Sequence, residues 1–190
     1  KRLKELSKRM SLKLECIKDI AKVSYGHMPM EDYVSEEEGV PFIRVTNITE
    51  QLFIDKTDLK YIPKHAVKTE EHRLKTGEVL IVQNGFSTGK IAYCTKEFEG
   101  FVFPSFGLKL HDFSEEIDSG YLASFLYSRF GQLQISRGLK VGSVHPNTTK
   151  NDVEEIIVPI APIKIQNYIG NKIRKAEELR EKANKNRREY

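Results

Sequence analysis

Apolar residues recur at helical spacing near both ends of the chain, and between these ends they form short runs. Within residues 1–15, apolar side chains stand three or four positions apart and predict a short amphipathic helix. These side chains are Leu3, Leu6, Met10 and Leu14. Pro162 suits the first turn of a second helix, and helical spacing continues from it to the C-terminus.

The C-terminal helix predicted after Pro162 has one apolar stripe, and charged residues occupy much of its remaining surface. The stripe consists of Ile165, Ile169, Ile173, Ala176, Leu179 and Ala183. A helix of about 28 residues extends about 40 Å, which is too long for a small domain to cover completely. A stripe this narrow is typical of a coiled coil or an antiparallel helical pair, so we expect another helix to cover it.

Short strands and turns are predicted for most of the chain between the two helices. Runs rich in β-branched and aromatic residues alternate with glycine and asparagine, which favour turns. The predicted strands cover residues 41–45, 78–82, 90–94, 101–103 and 107–110. The pair Asn84-Gly85 marks the clearest turn, between the second and third of these strands.

Helical segments interrupt this strand pattern. Apolar residues at three- and four-residue spacing predict a helix over residues 119–135, and a shorter helix is predicted over residues 64–69. Asn151 or Asp152 is expected to cap a short helix before the apolar run at residues 156–160.

Net charge gives little support for a nucleic-acid partner, because the basic residues are unevenly distributed. Residues 1–15 carry six basic and two acidic side chains, and residues 164–190 carry nine basic and four acidic ones. The 148 residues between them hold 16 basic and 21 acidic side chains, so the body of the chain is acidic. The formal net charge of +4 therefore comes from the two ends and does not by itself indicate DNA binding.

The composition favours a globular protein of the cytoplasm. No run approaches the roughly 18 apolar residues of a membrane span, so we expect no membrane partner. Cys16 and Cys94 stand far apart and form no metal-binding or redox motif, which favours a reducing compartment.

Each catalytic motif considered fails on spacing. Residues 85–90 (Gly-Phe-Ser-Thr-Gly-Lys) resemble a phosphate-binding loop, but three residues separate the glycines where four are needed. Ile91 also stands where that loop needs a hydroxyl to hold Mg²⁺, so a tight turn between strands is the simpler interpretation. The five histidines form no metal-binding pair, and Ser105 and Ser143 lie in no nucleophile elbow. We expect neither an enzyme nor a metal site.

Hydrogen-bonding side chains cluster on three predicted loops. Asparagine, glutamine, arginine and lysine suit base edges, and serine, threonine and lysine suit phosphates. The same residue types also build turns, and both interpretations stay open for the clusters as groups. The candidates are Arg44, Thr46 and Asn47; Gln83, Asn84, Ser87, Thr88 and Lys90; and, on a glycine-rich loop predicted over residues 138–150, Lys140, Ser143, His145, Asn147 and Lys150.

An ordered series of segments resembles the specificity subunits of Type I restriction-modification systems. The segments are residues 17–23 with Gly26, 39–48, 61–62, 74–81, Gly85 with Gly89, 142–143, 157–162, and Gln166 with Ile169. Each is weak alone, but together they cover nearly the whole chain. Two departures stand out: Gly77-Glu78 replaces the usual Gly-Asp, and His27-Met28-Pro29-Met30 replaces a turn of small residues.

The resemblance implies an α+β fold in which residues 16–160 form one target-recognition domain. A curved, mixed β-sheet with short flanking helices would form this domain, and residues 1–15 would be an N-terminal helix or linker. Residues 161–190 would be a conserved spacer helix of coiled-coil type. In the family this helix pairs with that of a second recognition domain and sets the distance between half-sites. A half-subunit, a natural single-domain form or a fragment would each fit, and a homodimer would restore two-fold geometry.

The function implied by the resemblance is sequence-specific recognition of double-stranded DNA without catalysis. Methylation and cleavage would belong to a methyltransferase subunit and possibly a restriction subunit, where S-adenosylmethionine, ATP and Mg²⁺ are expected. The expected phosphate contacts are Arg44, Lys90, Lys140 and Lys150; the expected base contacts are Asn47, Gln83, Asn84, Ser143, His145 and Asn147. Two alternatives stay open: a helical adaptor that does not read DNA, and the C-terminal recognition domain of a fused restriction-methylation enzyme.

Overall fold

Short strands paired into antiparallel sheets form the centre of the molecule, and a long helix follows them. The computed structural model describes residues 2–137 and 147–188. The strands are β1 (Lys13–Cys16), β2 (Lys22–Tyr25), β3 (Gly39–Phe42), β4 (Lys60–Pro63), β5 (Val79–Val82), β6 (Ile91–Tyr93), β7 (Gly107–His111) and β8 (Ile157–Ile160). The α-helices are α1 (Arg2–Met10), α2 (Ile17–Ile20), α3 (Ser119–Tyr127), α4 (Arg129–Arg137), α5 (Lys150–Glu154) and α6 (Ile163–Arg188).

The central sheet has the strand order β2-β7-β5-β6, and each neighbouring pair is antiparallel. All four residues of β5 are buried, because hydrophobic clusters cover both faces of the sheet. Val79 and Ile81 belong to the cluster that contains α3, whereas Leu80 and Val82 pack with Phe98 on the other face. Burial on both sides explains why this strand is a continuous apolar run in the sequence.

Two smaller antiparallel pairs, β3–β4 and β1–β8, flank the central sheet. Among the described residues, the expected mixture of strand directions is therefore present only at isolated bridges, such as the parallel bridge between Phe42 and Val102. β5 and β6 are antiparallel because the connection between them, residues 83–90, is short. Parallel neighbours need a crossover of about a dozen residues or more.

The helix predicted over residues 119–135 is divided at Ser128 into α3 and α4. Ser128 has an extended backbone, and its hydroxyl donates to the Phe125 carbonyl at 2.6 Å. Gly131 allows α4 to turn closely against α3, since a Cβ there would lie 2.4 Å from the Phe125 carbonyl oxygen. Apolar spacing did not reveal the break, because residues of both helices pack into the same core cluster.

The predicted ends of several elements were wrong. The N-terminal helix stops at Met10, and Ser11 has a positive φ of 51°, a conformation that ends a helix. Leu14, expected on that helix, lies instead in β1 opposite Pro159. Thr149 caps α5, where Asn151 or Asp152 was expected: its hydroxyl accepts from the Asp152 N–H at 3.1 Å.

Two predicted elements are absent in the expected form, and four strands were missed. Residues 101–103 form no strand, although Val102 makes single bridges, and a 3-10 helix at Lys64–Ala66 replaces the predicted helix over 64–69. The missed strands are β1, β2, β4 and β8. All four are four-residue strands that no short turn joins to their pairing partners, so local pattern gave little indication of them.

α6 docks on α3 through a glycine crossing and an ion pair. A Cβ on Gly120 would lie 2.8 Å from the Gly170 Cα, so the two helices approach with no side chain between them. Beside this crossing, Arg174 Nη2 lies 2.9 Å from a carboxylate oxygen of Asp118. Asp118 also caps α3 by accepting a hydrogen bond from the Tyr121 N–H at 2.9 Å. Asp118 therefore connects the helix crossing to the N-terminal cap of α3.

Gln166 fastens the first turn of α6 to the domain. It is 1% exposed, and its amide donates to the carbonyls of Glu116 at 2.9 Å and Ala161 at 2.7 Å. Its Oε1 accepts from the Asp118 N–H at 3.0 Å. This single side chain therefore provides hydrogen-bond partners for three backbone groups.

Contacts between α6 and the domain continue well beyond this first turn. The Arg180 guanidinium lies over the Phe53 ring at 4.2 Å, and the Thr95 hydroxyl donates to Glu181 at 3.2 Å. The helix therefore packs on the domain over more of its length than its apolar stripe led us to expect.

Candidate nucleic-acid interface

One end of the central sheet gathers hydrogen-bonding side chains from different parts of the chain. β2 and β5 end there at Tyr25 and Val82, and β7 and β6 begin there at Gly107 and Ile91. We call this region the loop end and define it as residues 25–26, 83–90, 104–107 and 147–150. It contains the second predicted cluster and the described part of the third.

Residues 147–150 extend the sheet at the loop end. Asn147 forms an antiparallel bridge with Asn84, and the Thr148 N–H donates to the Gln83 carbonyl at 3.0 Å. These contacts place two segments that are distant in sequence side by side. The other three candidates of the third cluster, Lys140, Ser143 and His145, lie outside the described residues.

Hydrogen bonds hold the turn between β5 and β6. Gly85 and Gly89 have φ values of 83° and 90°, which glycine adopts without strain. The Thr88 N–H and hydroxyl both donate to the Gly85 carbonyl, at 3.0 and 2.6 Å. Gln132 of α4 donates to the Gly89 carbonyl at 2.9 Å. The turn thus presents Phe86, which is 95% exposed, on an ordered backbone.

Two amide oxygens at the loop end have no hydrogen-bond partner among the described residues. Gln83 is only 8% exposed and Asn84 is half-buried, yet neither Gln83 Oε1 nor Asn84 Oδ1 accepts a hydrogen bond from any described residue. The buried Thr148 hydroxyl has no partner within the same residues. Each such atom costs about 1–3 kcal/mol, so this arrangement favours a further group binding at the loop end. Asn147, beside them, is exposed.

Two lysines of the loop end have acidic neighbours. Lys90 Nζ lies 2.9 Å from Glu50, and Lys150 Nζ lies 3.6 Å from Glu154. Pairs that are partly open to water contribute about 1 kcal/mol or less, so either lysine can turn to a phosphate with little loss. The pair with Glu50 also connects the turn to the loop that follows β3.

A groove of about 530 Å³ lies between this turn and the helices α3 and α4. Its lining combines hydroxyl groups, a lysine and two exposed aromatic rings. The lining residues are Thr49, Glu50, Phe86, Ser87, Thr88, Gly89, Lys90, Ile91, Tyr127 and Gln132. The predicted candidates Ser87, Thr88 and Lys90 therefore share one surface.

The first predicted cluster lies on the loop after β3, where Asn47 has a structural task. Asn47 is 2% exposed, and its amide donates to the carbonyls of Asp55 and Thr57, both at 3.0 Å. Its Oδ1 accepts from the Arg44 N–H at 2.9 Å. The hydrogen-bonding capacity of Asn47 is thus used in shaping the loop, and its neighbour Thr46 is exposed.

Arg44 on the same loop is paired with Asp58. Arg44 Nη2 lies 2.7 Å from a carboxylate oxygen of Asp58 and donates to the Asp58 carbonyl at 2.7 Å as well. Hydrogen bonds from Lys60 and Arg44 lower the pKa of the Asp58 carboxyl. The Asp58 carboxyl group is open to solvent, so this pairing leaves Arg44 free to exchange partners.

Sequence reasoning missed the exposed aromatic residues of the loop end. Tyr25, Phe86 and Phe106 are 50%, 95% and 45% exposed. Phe86 could have been found, because a large apolar ring between glycine and serine in a turn has no place in a core. The exposure of Tyr25 and Phe106 could not be predicted from the sequence, because it depends on where β2 ends and where β7 begins.

Among residues 2–137 and 147–188, no group of three or more His, Cys, Asp or Glu side chains is arranged to hold a metal ion. His27 and His72 do come together, with their rings stacked 4.8 Å apart. Burial and the neighbouring His27 lower the pKa of His72. No helix in the described part of the chain is long and apolar enough to cross a membrane.

The apolar stripe predicted for α6 is divided between two surroundings. Ile169 and Ile173 are partly buried and pack against the core of the domain. Ile165 and Leu179 are 51% and 56% exposed. We call five exposed apolar residues of this helix the exposed strip: Ile165, Tyr168, Ala176, Leu179 and Ala183.

The fold and the loop end together define an α+β recognition module with a docked C-terminal helix. The model of the family described as "Type I restriction modification DNA specificity domain" matches residues 12–189. The chain therefore belongs to this family, which confirms the resemblance found in the sequence. Members of this family supply DNA sequence recognition to type I restriction-modification systems.

Solved structures confirm the α+β fold with its long C-terminal helix. The HsdS subunit from Thermoanaerobacter tengcongensis is similar over 93% of this chain, with a TM-score of 0.62 and 16% identity. A chain from a structure on complex assembly and conformational transition of the type I R-M system matches over 93%, with a TM-score of 0.63 and 17% identity. The type IIG restriction endonuclease BpuSI matches over 90% of this chain, with a TM-score of 0.65 and 11% identity.

This chain spans less than half the length of these structures. It covers 44% of each of the two type I chains and 27% of BpuSI. None of the curated proteins matches the chain.

Proposed function

We propose that this chain reads one half-site of a bipartite DNA target for a restriction-modification complex and positions the partner methyltransferase and restriction subunits there. The observation that carries the proposal is the loop end, where the turn at residues 83–90 lies against residues 147–150. Amide side chains there suit base edges, and the hydroxyl, lysine and glycine N–H groups beside them suit phosphates.

The structure supports different tasks for the candidate residues. Asn84 and Asn147 are the proposed base contacts, because they are paired across the sheet and are not fully buried. Gln83 stands beside them with an unpartnered oxygen among the described residues. The proposed phosphate contacts are Arg44, Ser87, Thr88, Lys90 and Lys150, with Thr46 adjacent. We propose Lys140, Ser143 and His145 as further contacts on their place in the sequence alone.

The exposed strip of α6 is the proposed contact with another recognition helix. That helix would belong to a second recognition domain of a longer chain or to a second copy of this one. This chain covers 44% of each of the two type I chains, which leaves room in them for a second domain. This supports such an arrangement. Pairing two domains through their helices would fix the spacing of two half-sites. In this proposal S-adenosylmethionine, ATP and Mg²⁺ bind in the partner subunits.

The test is binding selection from a randomised duplex library, carried out with the full chain in the presence and absence of a methyltransferase subunit. We expect an enriched motif, and we expect tighter binding with the methyltransferase because the body of this chain is acidic. An intact assembly that enriches no motif would overturn the proposal and would instead support a helical adaptor.

A second candidate function is the recognition domain at the C-terminal end of a fused restriction-methylation enzyme. The similarity to BpuSI, a type IIG restriction endonuclease, is the observation that favours it. Sequencing the gene upstream of this chain separates the two candidates. Methyltransferase motifs in the same reading frame would favour the fused enzyme, and a separate methyltransferase gene would favour the specificity subunit.

A further inference from the structure

We propose that Phe86 is a wedge that inserts between two base pairs of the bound DNA and kinks the duplex. This inference rests on the proposed function, because it names a residue of the loop end that acts on the DNA itself. Aromatic and aliphatic side chains are used in this way by proteins that unstack a base step.

The first observation is the exposure of the Phe86 ring on an ordered support. The ring is 95% exposed, although the turn beneath it is fixed by the Thr88 and Gln132 hydrogen bonds to the two glycine carbonyls. A turn whose backbone is fixed before binding loses less freedom when the side chain that it carries is buried. Phe86 is therefore prepared for burial against a partner outside this chain.

The second observation is the size of the neighbouring side chains. Gly85 has no side chain, and Ser87 has a short one, so the phenyl ring stands out from the tip of the turn. A Cβ built on Gly85 would meet nothing within 4 Å, which shows that the space beside the ring is open. This shape suits insertion into a stack of bases, whereas a thymine methyl group could be reached by a smaller side chain.

The surroundings of Phe86 favour DNA over a protein as the occupant. Lys90, with its partner Glu50, and the hydroxyl of Ser87 line the same groove. Asn84 Oδ1, which has no hydrogen-bond partner among the described residues, lies two residues before the ring. The core of a protein interface is usually depleted in charged side chains. A ring next to a lysine and amide groups fits a base step flanked by phosphates better.

The experiment uses the full chain with its methyltransferase subunit and the duplex enriched in the selection. Duplexes carrying 2-aminopurine at each successive position report unstacking as increased fluorescence, and energy transfer between the duplex ends reports bending. For the wild-type chain we expect increased fluorescence at one base step and a bent duplex. Phe86→Ala should abolish both signals and weaken binding by about 10- to 100-fold.

Two further variants keep the result interpretable. Phe86→Leu keeps an apolar wedge and should retain part of the bend, whereas Met10→Ala removes another exposed apolar side chain and should change neither signal. The melting temperature of Phe86→Ala should equal that of the wild type, because the ring contributes nothing to the core.

Three results would overturn the wedge. The first is unchanged affinity and bending in Phe86→Ala. The second is a loss of affinity that thymine-to-uracil substitution reproduces without any bend, which indicates a methyl contact. The third is a loss of methyltransferase binding with DNA binding intact, which indicates a protein contact. In all three a motif is still enriched, so the proposed function stands; a wild-type chain that enriches no motif overturns both.

Discussion

The docked face of α6 and the loop end of the central sheet differ in how far their polar side chains are satisfied by hydrogen bonds. At the helix, the buried side chain of Gln166 satisfies three backbone groups, and Asp118 serves as cap and as ion-pair partner at once. At the loop end, Gln83 and Asn84 keep oxygens without partners among the described residues, and Phe86 is almost fully exposed.

This difference distinguishes residues that stabilise the fold from residues that are available to bind a partner. Satisfied buried polar groups fix one geometry, and removing one member leaves the others unpaired. Groups that find no partner within a chain reduce its stability unless something else binds them. Changes at the helix should therefore lower stability, whereas changes at the loop end should lower DNA affinity and leave stability nearly unchanged.

The largest effect is expected for Gly170→Leu at the crossing of α6 and α3. A Cβ at this position would lie 1.9 Å from a carboxylate oxygen of Asp118, so the α3 cap and the ion pair with Arg174 must both move. We expect the free energy of unfolding in urea to fall by about 3 kcal/mol. Asn167→Leu adds bulk to an exposed position of the same helix outside the exposed strip and is the control. Equal effects of the two substitutions would show that the crossing is not tightly packed.

Gln166→Leu should be nearly as damaging, by about 2–3 kcal/mol. Leucine fills similar space but leaves the Asp118 N–H and the carbonyls of Glu116 and Ala161 without the partners they have now. Thermal unfolding followed by circular dichroism measures the loss. The adjacent Asn167→Ala changes an exposed side chain and should alter the melting temperature little. A stable Gln166→Leu variant would mean that water replaces the amide.

Glu177 is expected to make the helix interface sensitive to pH. It is 5% exposed, and burial raises its pKa from 4.5 to about 7, with Arg180 opposing and Glu181 and Glu97 adding to the increase. Between these two pKa values the folded state holds a proton that the unfolded state has lost. Stability should therefore fall as pH rises from about 5 to about 7.

Glu177→Gln tests this directly because it removes the charge. The variant should match the wild type near pH 4, where the carboxyl is protonated in both states. At pH 8 the variant should be more stable by about 2 kcal/mol. Urea unfolding at both pH values measures the difference, and Glu178→Gln on the exposed side of the helix should not reproduce it. A constant difference between pH 4 and pH 8 would contradict the raised pKa.

The parts of the fold that the sequence revealed are those with a local cause. β5 was recognisable because both faces of the sheet are covered, and α6 because Pro162 precedes a long periodic stretch. The docking of α6 on α3 was not recognisable, because two of its key residues, Gln166 and Gly170, carry no hydrophobic signal. Their meaning depends on Asp118 and Gly120, which lie far away in the sequence.

At the loop end, too, local sequence pattern predicts turns but not tertiary contacts. The turn around Asn84-Gly85 followed from residue types, but its pairing with Asn147 is a tertiary contact that no local pattern contains. Asn47 illustrates the converse: its residue type suits base recognition, yet its amide is occupied within its own loop. Residue type indicates what a side chain can bind, and only the fold decides what it does bind.

Asn147→Ala, at the loop end, should reduce the specificity of DNA recognition and leave the stability of the fold nearly unchanged. Asn147 is exposed, so its loss should change the free energy of unfolding by less than about 0.5 kcal/mol. If it contacts a base edge, the variant should lose about 1–3 kcal/mol of discrimination at one position of the target. Repeating the selection with the variant measures this as relaxed preference at that position. Asn167→Ala, on α6, should leave the selected motif unchanged.

The smallest effect is expected for Lys150→Ala, which should weaken binding without changing the motif. Its pairing with Glu154 is partly open to water, so the folded chain should lose little stability. If Lys150 contacts one phosphate, the slope of log affinity against log salt concentration should decrease by about one unit. Fluorescence anisotropy titrations at several salt concentrations measure the slope, with Lys175→Ala on the exposed surface of α6 as the control. An unchanged slope together with a preference lost at one base would make Lys150 a base contact, and the boundary between phosphate and base contacts at the loop end would have to be redrawn.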